Sequence, residues 1–232
     1  MEAAKRALIV FAKIPQPNKV KTRLKALLTA EEAAALYDAF LKDAIDTYQQ
    51  LDVDVHLYFG PSELELPADL QPPGVGIHEQ KGDGLGPRMA AAFAERFVAG
   101  YTQCVIIGTD HPTLPISFIE QAFDVLEEPG SVSIGPSEDG GYYLLGMNRF
   151  YPQLFNGMSY SHADVFAQTL DRASEANAAV HILPVWYDVD EPETLQRLIG
   201  DLQASDLPLE RTRAVLAKLE GAYATLRSKP RS

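Results

Sequence analysis

Val105-Ile-Ile-Gly-Thr-Asp110-His-Pro112 is the stretch on which the reading of this chain turns. Gln103–Gly108 predicts a buried strand, because a short apolar run with β-branched residues is stopped by glycine and then by a proline-containing turn. Asp110 falls just past the carboxyl end of that strand, and in open α/β sheets ligands collect outside the carboxyl ends of strands. Two readings follow. Asp110 holds the metal of a metal–nucleotide complex, or it only hydrogen-bonds its own turn, as turn aspartates often do.

The segments on either side alternate in type. Ala7–Ala12 predicts a first strand, apolar enough for burial on both faces. The polar loop Lys13–Thr22 carries Pro15 and Pro17. Thr29 and Glu32 stand at capping-box spacing, and apolar residues from Leu36 to Tyr48 recur at helical intervals, so Ala30–Gln50 predicts an amphipathic helix. Val53–Phe59 and Val75–Gln80 predict strands, with loop and turns between them. Gly82–Pro87 opens a helix that runs to about Ala99. Beyond the 103–108 strand come a helix over Ser117–Glu128, with Ser117 and Glu120 as a second capping box, and strands over Ser131–Gly135 and Tyr142–Met147. A helix over Ser161–Ala176, a late strand over Val180–Val189, and helices over Glu191–Leu202 and Leu209–Arg227 follow, with a frayed tail. This alternation implies helices on both faces of a mostly parallel sheet. No stretch of 1–232 reads as a linker, so the expected architecture is α/β, a single three-layer α/β/α domain with a mixed, mostly parallel sheet.

Composition narrows the function. A net charge of −12 argues against a nucleic-acid-binding face, yet a few local cations are enough to hold one phosphorylated small molecule. The single cysteine, Cys104, permits no disulfide within the chain, which fits a reducing cytoplasm, and its place inside a strand fits a packed thiol. No apolar run approaches membrane-spanning length, and the N-terminal one is too short for a signal peptide.

Four constellations carry candidate chemistry. Lys13, Lys19, Lys21 and Arg23 cluster after the first strand of an otherwise acidic chain. In an extended loop the last three, at alternate positions, would point the same way, as phosphate charge requires. The alternative is a solvated loop; the glycine-rich pattern of a P-loop is absent. Gly82-Asp-Gly84-Leu-Gly86-Pro-Arg88 offers close backbone approach and free N–H groups to an anion or a base, or is a plain flexible turn. Glu138-Asp139-Gly140-Gly141 is a hairpin turn by its Asp-Gly pair, or a carboxylate with glycines set to recognise a hydroxylated ligand. Asp188-Val-Asp190, read at the end of the late strand, puts two carboxylates on one face for an oxygen-loving cation, Mg²⁺ or Mn²⁺, although Asp190 could instead cap the next helix. The histidines show no zinc spacing, and His111 reads as a turn residue.

Together these motifs resemble a known pattern. Phe11-Ala-Lys13-Ile-Pro15-Gln-Pro17-Asn-Lys19-Val-Lys21-Thr-Arg23-Leu, Gly84-Leu-Gly86-Pro-Arg88-Met, Ile107-Gly-Thr-Asp110-His-Pro112, Gly135-Pro-Ser-Glu-Asp139-Gly-Gly-Tyr and Tyr187-Asp188-Val-Asp190-Glu-Pro resemble, in order, the motifs of a bacterial glycosyltransferase-A-like (GT-A) family. That family is labelled selenodomain-associated or nucleotide-diphospho-sugar transferase and is related to 2-phospholactate guanylyltransferase. The chain departs from it in carrying Asn18 where glycine is usual, and in lacking a Trp-Ser pair near Gly157–His162.

The resemblance implies a GT-A-like fold and a metal-dependent transferase using Mg²⁺ or Mn²⁺. Asp110, Asp188 and Asp190 would hold the metal, and Lys13, Lys19, Lys21, Arg23, Gly84, Gly86 and Arg88 would meet the nucleotide. Asp139, Gly140 and Gly141 would meet the substrate, with Asp110, Lys21 and Arg23 the catalytic groups. The first expectation is transfer from a nucleotide-sugar to a small acceptor. The second is nucleotidyl transfer with release of pyrophosphate, and a third, of another class, is a nucleotide-binding module without turnover.

Overall fold

The structure is a computed structural model that describes residues 4–60, 65–160 and 162–219. Seven strands form one sheet: β1 (Arg6–Ala12), β2 (Asp54–Phe59), β3 (Gly76–Glu79), β4 (Gln103–Ile107), β5 (Ser131–Pro136), β6 (Tyr142–Met147) and β7 (Ala179–Ile182). Their order is β3-β2-β1-β4-β6-β5-β7. Only β6 runs against its neighbours; it pairs antiparallel with both β4 and β5.

Period-two alternation in β1 divides the core. Leu8, Val10 and Ala12 face α1 (Ala30–Tyr48) and α3 (Ile116–Asp124), whereas Ala7 and Ile9 face α2 (Leu85–Val98) and α4 (Val165–Glu175). The opposite side of α1 carries Ala33, Leu36 and Phe40, which pack on α5 (Pro192–Gln203) and α6 (Glu210–Lys218). The capping box of α1 is formed, since Thr29 Oγ1 accepts from the Glu32 N–H at 3.2 Å and Glu32 Oε2 accepts from the Thr29 N–H at 2.8 Å. Among the described residues no helix is long and apolar enough to cross a membrane.

The expected fold class is found, with three local corrections. The second capping box does not form: α3 starts at Ile116 after Pro115 without a side-chain cap, because Pro115 already sets the extended entry that Ser117 was to provide. The late strand ends at Ile182 instead of Val189, since Pro184 lacks the N–H that would continue the ladder. The helix expected from Ser161 starts at Val165, and Ser161 lies outside the described residues. The predicted tail and the end of the last helix beyond Leu219 likewise lie outside them.

Candidate functional site

The strand order reverses direction between β1 and β4, which opens a crevice at their carboxyl ends. A cleft of about 580 Å³ occupies it. The ends of β1, β2, β3 and β4 contribute, and so does the start of antiparallel β6. Lys13, Lys19, Lys21, Arg23 and Arg88 all line this cleft, as do Asp110, Asp188 and Asp190. The sheet thus gathers motifs that are up to 177 positions apart, from Lys13 to Asp190.

The cationic loop is not extended, which corrects the expectation that Lys19, Lys21 and Arg23 point the same way. The chain turns at Asn18, whose φ of 65° is the left-handed conformation that the usual glycine would supply, and again at Lys21, with φ 46°. A 3₁₀ helix over Thr22–Ala26 follows. Lys19 and Arg23 are left exposed, while Lys21 is turned inward, its side chain 1% exposed. Its ammonium donates to Asp110 Oδ1 and, at 3.0 Å, to Asp190 Oδ1. The rings of Tyr37 and Phe40 lie 5.8 and 5.5 Å from it. A left-handed lysine costs on the order of 1–3 kcal/mol and persists only where its surroundings hold it; here two carboxylates do so. Burial pulls the Lys21 pKa down, but Asp110 and Asp190 outweigh it and the net direction is upward. For Asp110, burial pushes the carboxyl up, and Lys21 brings it below its ordinary value. Both carboxylates still reach the cleft, with side chains 42% and 38% exposed.

Residues 183–190 cross the strand ends as an irregular strap rather than a strand. The Trp186 N–H donates to Pro136 O at 3.1 Å and the Val189 N–H to Asp110 O at 2.9 Å. The rule that i and i+2 share a face therefore does not apply, and the two acids diverge. Asp190 meets Lys21, whereas Asp188 accepts from Ser137 Oγ at 2.7 Å and lies 2.7 Å from His111 Nδ1. Burial alone would lower the His111 pKa and raise that of Asp188, but each holds the other charged, so His111 is raised and Asp188 lowered. The cap of α5 is Glu191, in a capping box with Thr194, and not Asp190.

The glycine motifs sit differently. Gly84, with φ 94°, ends the approach to α2 without a side-chain cap, and a Cβ on Gly86 would fall 2.7 Å from the Tyr160 ring. Neither glycine lines the cleft, although Leu85, Arg88 and Met89 do. Asp139, Gly140 and Gly141 also lie outside its lining. Asp139 Oδ1 accepts from the Gly141 N–H at 2.9 Å, Glu138 is paired with Arg197 at 2.8 Å, and a Cβ on Gly140 would strike the Ala163 backbone. This turn is occupied with its own geometry and its packing.

Sequence reasoning missed the His111–Asp188–Ser137 cluster, whose members are brought together only by the tertiary fold. It also missed Gln80, which lines the cleft from the end of β3; a polar residue directly after a strand and before a glycine-rich helix entry was its only signal. Among the described residues no group of three or more histidine, cysteine or acidic side chains could hold a metal by itself.

Three likenesses to known proteins follow from this sequence and fold. A Desulfovibrio desulfuricans G20 protein described as a "putative nucleotide-diphospho-sugar transferase" superposes with TM-score 0.89 and 32% identity, over 96% of this chain and 98% of that one. The 2-phospho-L-lactate guanylyltransferase of Methanocaldococcus infernus is 28% identical over 181 residues, 77% of this chain and 78% of the relative. A Mycobacterium tuberculosis H37Rv protein solved with manganese shares the fold at TM-score 0.52 and 19% identity, over 85% of this chain and 99% of that one. These likenesses bear out the GT-A-like fold and the resemblance noted from the motifs. Residues 43–162, just over half of the chain, match the family described as "Uncharacterized protein conserved in bacteria (DUF2064)", and the chain belongs to that family.

Proposed function

We propose that this protein is a metal-dependent nucleotidyltransferase: it takes a nucleoside triphosphate into the cleft, passes the nucleotidyl group to a small acceptor and releases pyrophosphate. The observation that carries this reading is the convergence of Lys13, Lys19, Lys21, Arg23 and Arg88 on one cleft in a chain of net charge −12. Lys21 is taken up by Asp110 and Asp190, and the four cations that remain, Lys13, Lys19, Arg23 and Arg88, suit a triphosphate better than a diphosphate. The likeness to a guanylyltransferase supports it. The case for a sugar weakens, because the Asp139 turn that was to meet sugar hydroxyls lies outside the cleft lining. Transfer from a nucleotide-sugar remains the second reading, favoured by the name of the Desulfovibrio relative.

The residues fit a divalent cation in one particular way. Mg²⁺ is commonly held by one or two carboxylates together with substrate phosphate oxygens, not by an all-protein cage. Asp110 and Asp190 are two such carboxylates, near each other through Lys21 and open to the cleft, so they would hold the ion. Asp188, engaged by His111 and Ser137, would not. A bound Mg²⁺ or Mn²⁺ supplies Lewis-acid stabilisation of charge on phosphoryl oxygens.

The chain's own groups do the rest. Arg23, exposed at the cleft, meets the oxygens on which charge grows as the bond between the α-phosphorus and its leaving pyrophosphate breaks, and the buried Lys21 acts through Asp110 and Asp190, which it holds in place. The His111–Asp188 pair fixes the backbone after β4 and so the position of Asp110. No covalent enzyme intermediate is needed; the one thiol, Cys104, is buried and its pKa is pushed up to about 12. The test is product analysis. The four nucleoside triphosphates, with Mg²⁺ or Mn²⁺ and a panel of phosphorylated and carboxylated acceptors, should yield pyrophosphate. Diphosphate release from nucleotide-sugars alone would establish the second reading, and saturable binding without any product would leave a binding module.

A further inference from the structure

Gln80 is a polar side chain 7% exposed, at the end of β3, with no role in the chemistry above. Its amide nitrogen donates to two backbone carbonyls, Tyr58 O at 2.8 Å and Ala12 O at 3.3 Å. Both neighbours are acceptors, so the orientation of the amide is settled by chemistry: the nitrogen faces the Tyr58 and Ala12 carbonyls, and Oε1 lies on the Gly60 side, 3.8 Å from where a Cβ on Gly60 would stand. Oε1 has no partner among the described residues, and it is not among the sealed, unsatisfied polar atoms either. Gln80 lines the cleft, so this oxygen is an acceptor held in a fixed place with an open side.

Its surroundings point to a flat, partly apolar ligand. Leu85, on the first turn of α2, is 45% exposed although it is large and apolar, and it lines the cleft beside Phe11 and Met89. The N-terminus of α2 has no side-chain cap, and its first residue, Leu85, lines the same cleft as Gln80 and carries an N–H without an intrahelical partner. Neighbouring strands lie about 4.8 Å apart. Gln80 straddles the ends of β1 and β2, and Asp110 follows β4 on the other side of β1. The separation is one to two strand spacings, comparable with the ribose that divides a base from its first phosphate.

We infer that Gln80 reads the nucleobase, and that the site selects a base whose edge sets a ring N–H beside a carbonyl, as in guanine and uracil. The ring N–H donates to Gln80 Oε1, the carbonyl accepts from the α2 N-terminus, and the ring lies on Leu85. This deepens the nucleotidyltransferase reading and rests on it.

The experiment compares ligands on the native protein before any variant. With Mg²⁺ present, titration calorimetry is run with GTP, UTP, ATP, CTP, the N1-methylated guanosine and N3-methylated uridine triphosphates, and inorganic tripolyphosphate. GTP or UTP is expected to bind at least tenfold tighter than its methylated counterpart and than ATP and CTP, and the two parent nucleotides separate guanine from uracil. Gln80→Met is expected to bring the parent and methylated forms within about twofold of each other, a loss of discrimination that mere weakening of the fold does not produce. Equal binding of parent and methylated nucleotides, or discrimination that survives in Gln80→Met, overturns the inference while leaving nucleotide binding intact. Failure of every triphosphate, tripolyphosphate included, overturns the nucleotidyltransferase reading and this inference with it.

Discussion

Two buried clusters of ionisable groups lie on this sheet, and they settle their charges in opposite ways. In the cleft, Lys21 is held charged by Asp110 and Asp190, and His111 by Asp188. On the α2 face of β2 and β3, His56 Nδ1 lies 3.0 Å from His78 Nε2 and 3.2 Å from the Arg96 guanidinium. Burial, then the nearby Arg96 and His78, drives the His56 pKa down to about 4, against the opposing pull of Asp54. His56 is therefore neutral, and its other ring nitrogen bonds Tyr101 OH at 2.9 Å. Gly76 makes the arrangement possible, since a Cβ there would fall 2.4 Å from His56 Nδ1. His56 is hydrogen-bonded within this cluster through both ring nitrogens, and none of its members lines the cleft at the ends of β1 and β4. The charged cluster leaves carboxylates more than a third exposed at the strand ends. Buried charge that is compensated but still reachable is the feature on which the proposed charged-ligand site rests.

The contrast breaks most visibly at Asp110. Asp110→Asn keeps the size of the side chain but removes the charge, and metal-dependent nucleotide binding should fall by more than about a hundredfold, beyond the usual effect of losing a supporting contact. Calorimetry with Mn²⁺ and a triphosphate checks this; wild-type affinity in the variant would assign Asp110 to its turn alone. Lys21→Met comes next, and its two effects should differ in sign. Nucleotide binding should weaken, because Asp110 and Asp190 lose the ammonium that holds them in place, by about 1.5–3 kcal/mol, the scale of a hydrogen bond to a charged group. Mn²⁺ binding without nucleotide should tighten, because no ammonium then neutralises Asp110 and Asp190; paramagnetic resonance of free Mn²⁺ reads this directly, and weaker metal binding would contradict it.

The histidine cluster should respond to pH instead of ligand. The folded pKa of His56 lies below its ordinary value near 6.5, so its contribution to stability is complete above that pH and is lost as pH falls toward about 4. Chemical denaturation between pH 7 and pH 4 should show a decline of roughly 1–3 kcal/mol that is reduced in His56→Asn; an unchanged slope in the variant would place the acid sensitivity elsewhere. The smallest effect is expected at Asp139→Asn. Asparagine keeps the oxygen that accepts from the Gly141 N–H, so stability should stay within about 0.5 kcal/mol and nucleotide affinity within about twofold. A clear loss of affinity would return the turn to the substrate site.

The same contrast separates what could be read from the sequence from what could not. β1, β4 and β6, the capping box of α1 and the convergence of motifs on strand ends were legible, because strand runs, capping spacing and the alternation of elements are local signals. The inward turn of Lys21 was not, because it depends on two carboxylates 89 and 169 positions away. Asp188 was expected to share a strand face with Asp190 and lies against His111 instead, since Pro184 ended the strand on which that expectation relied. Asp139 read as a hairpin-turn residue or a ligand group; its Oδ1 accepts from the Gly141 N–H inside its own turn, and Gly140 packs on the Ala163 backbone. Motif residue types marked which segments meet at the strand ends; long-range packing decided which of their residues face the cleft.

The central claim is that the cleft at the carboxyl ends of β1 and β4 holds a metal–triphosphate complex. Thermal denaturation of the wild-type protein with nucleoside triphosphates, nucleoside diphosphate sugars and tripolyphosphate, each with and without Mn²⁺, tests it most directly. A triphosphate with Mn²⁺ at a hundred times its dissociation constant should stabilise by about 2.7 kcal/mol. Stabilisation should be largest for a triphosphate and should require the metal. Stabilisation by nucleotide-sugars with none by any triphosphate, or the same response without Mn²⁺, would contradict the account.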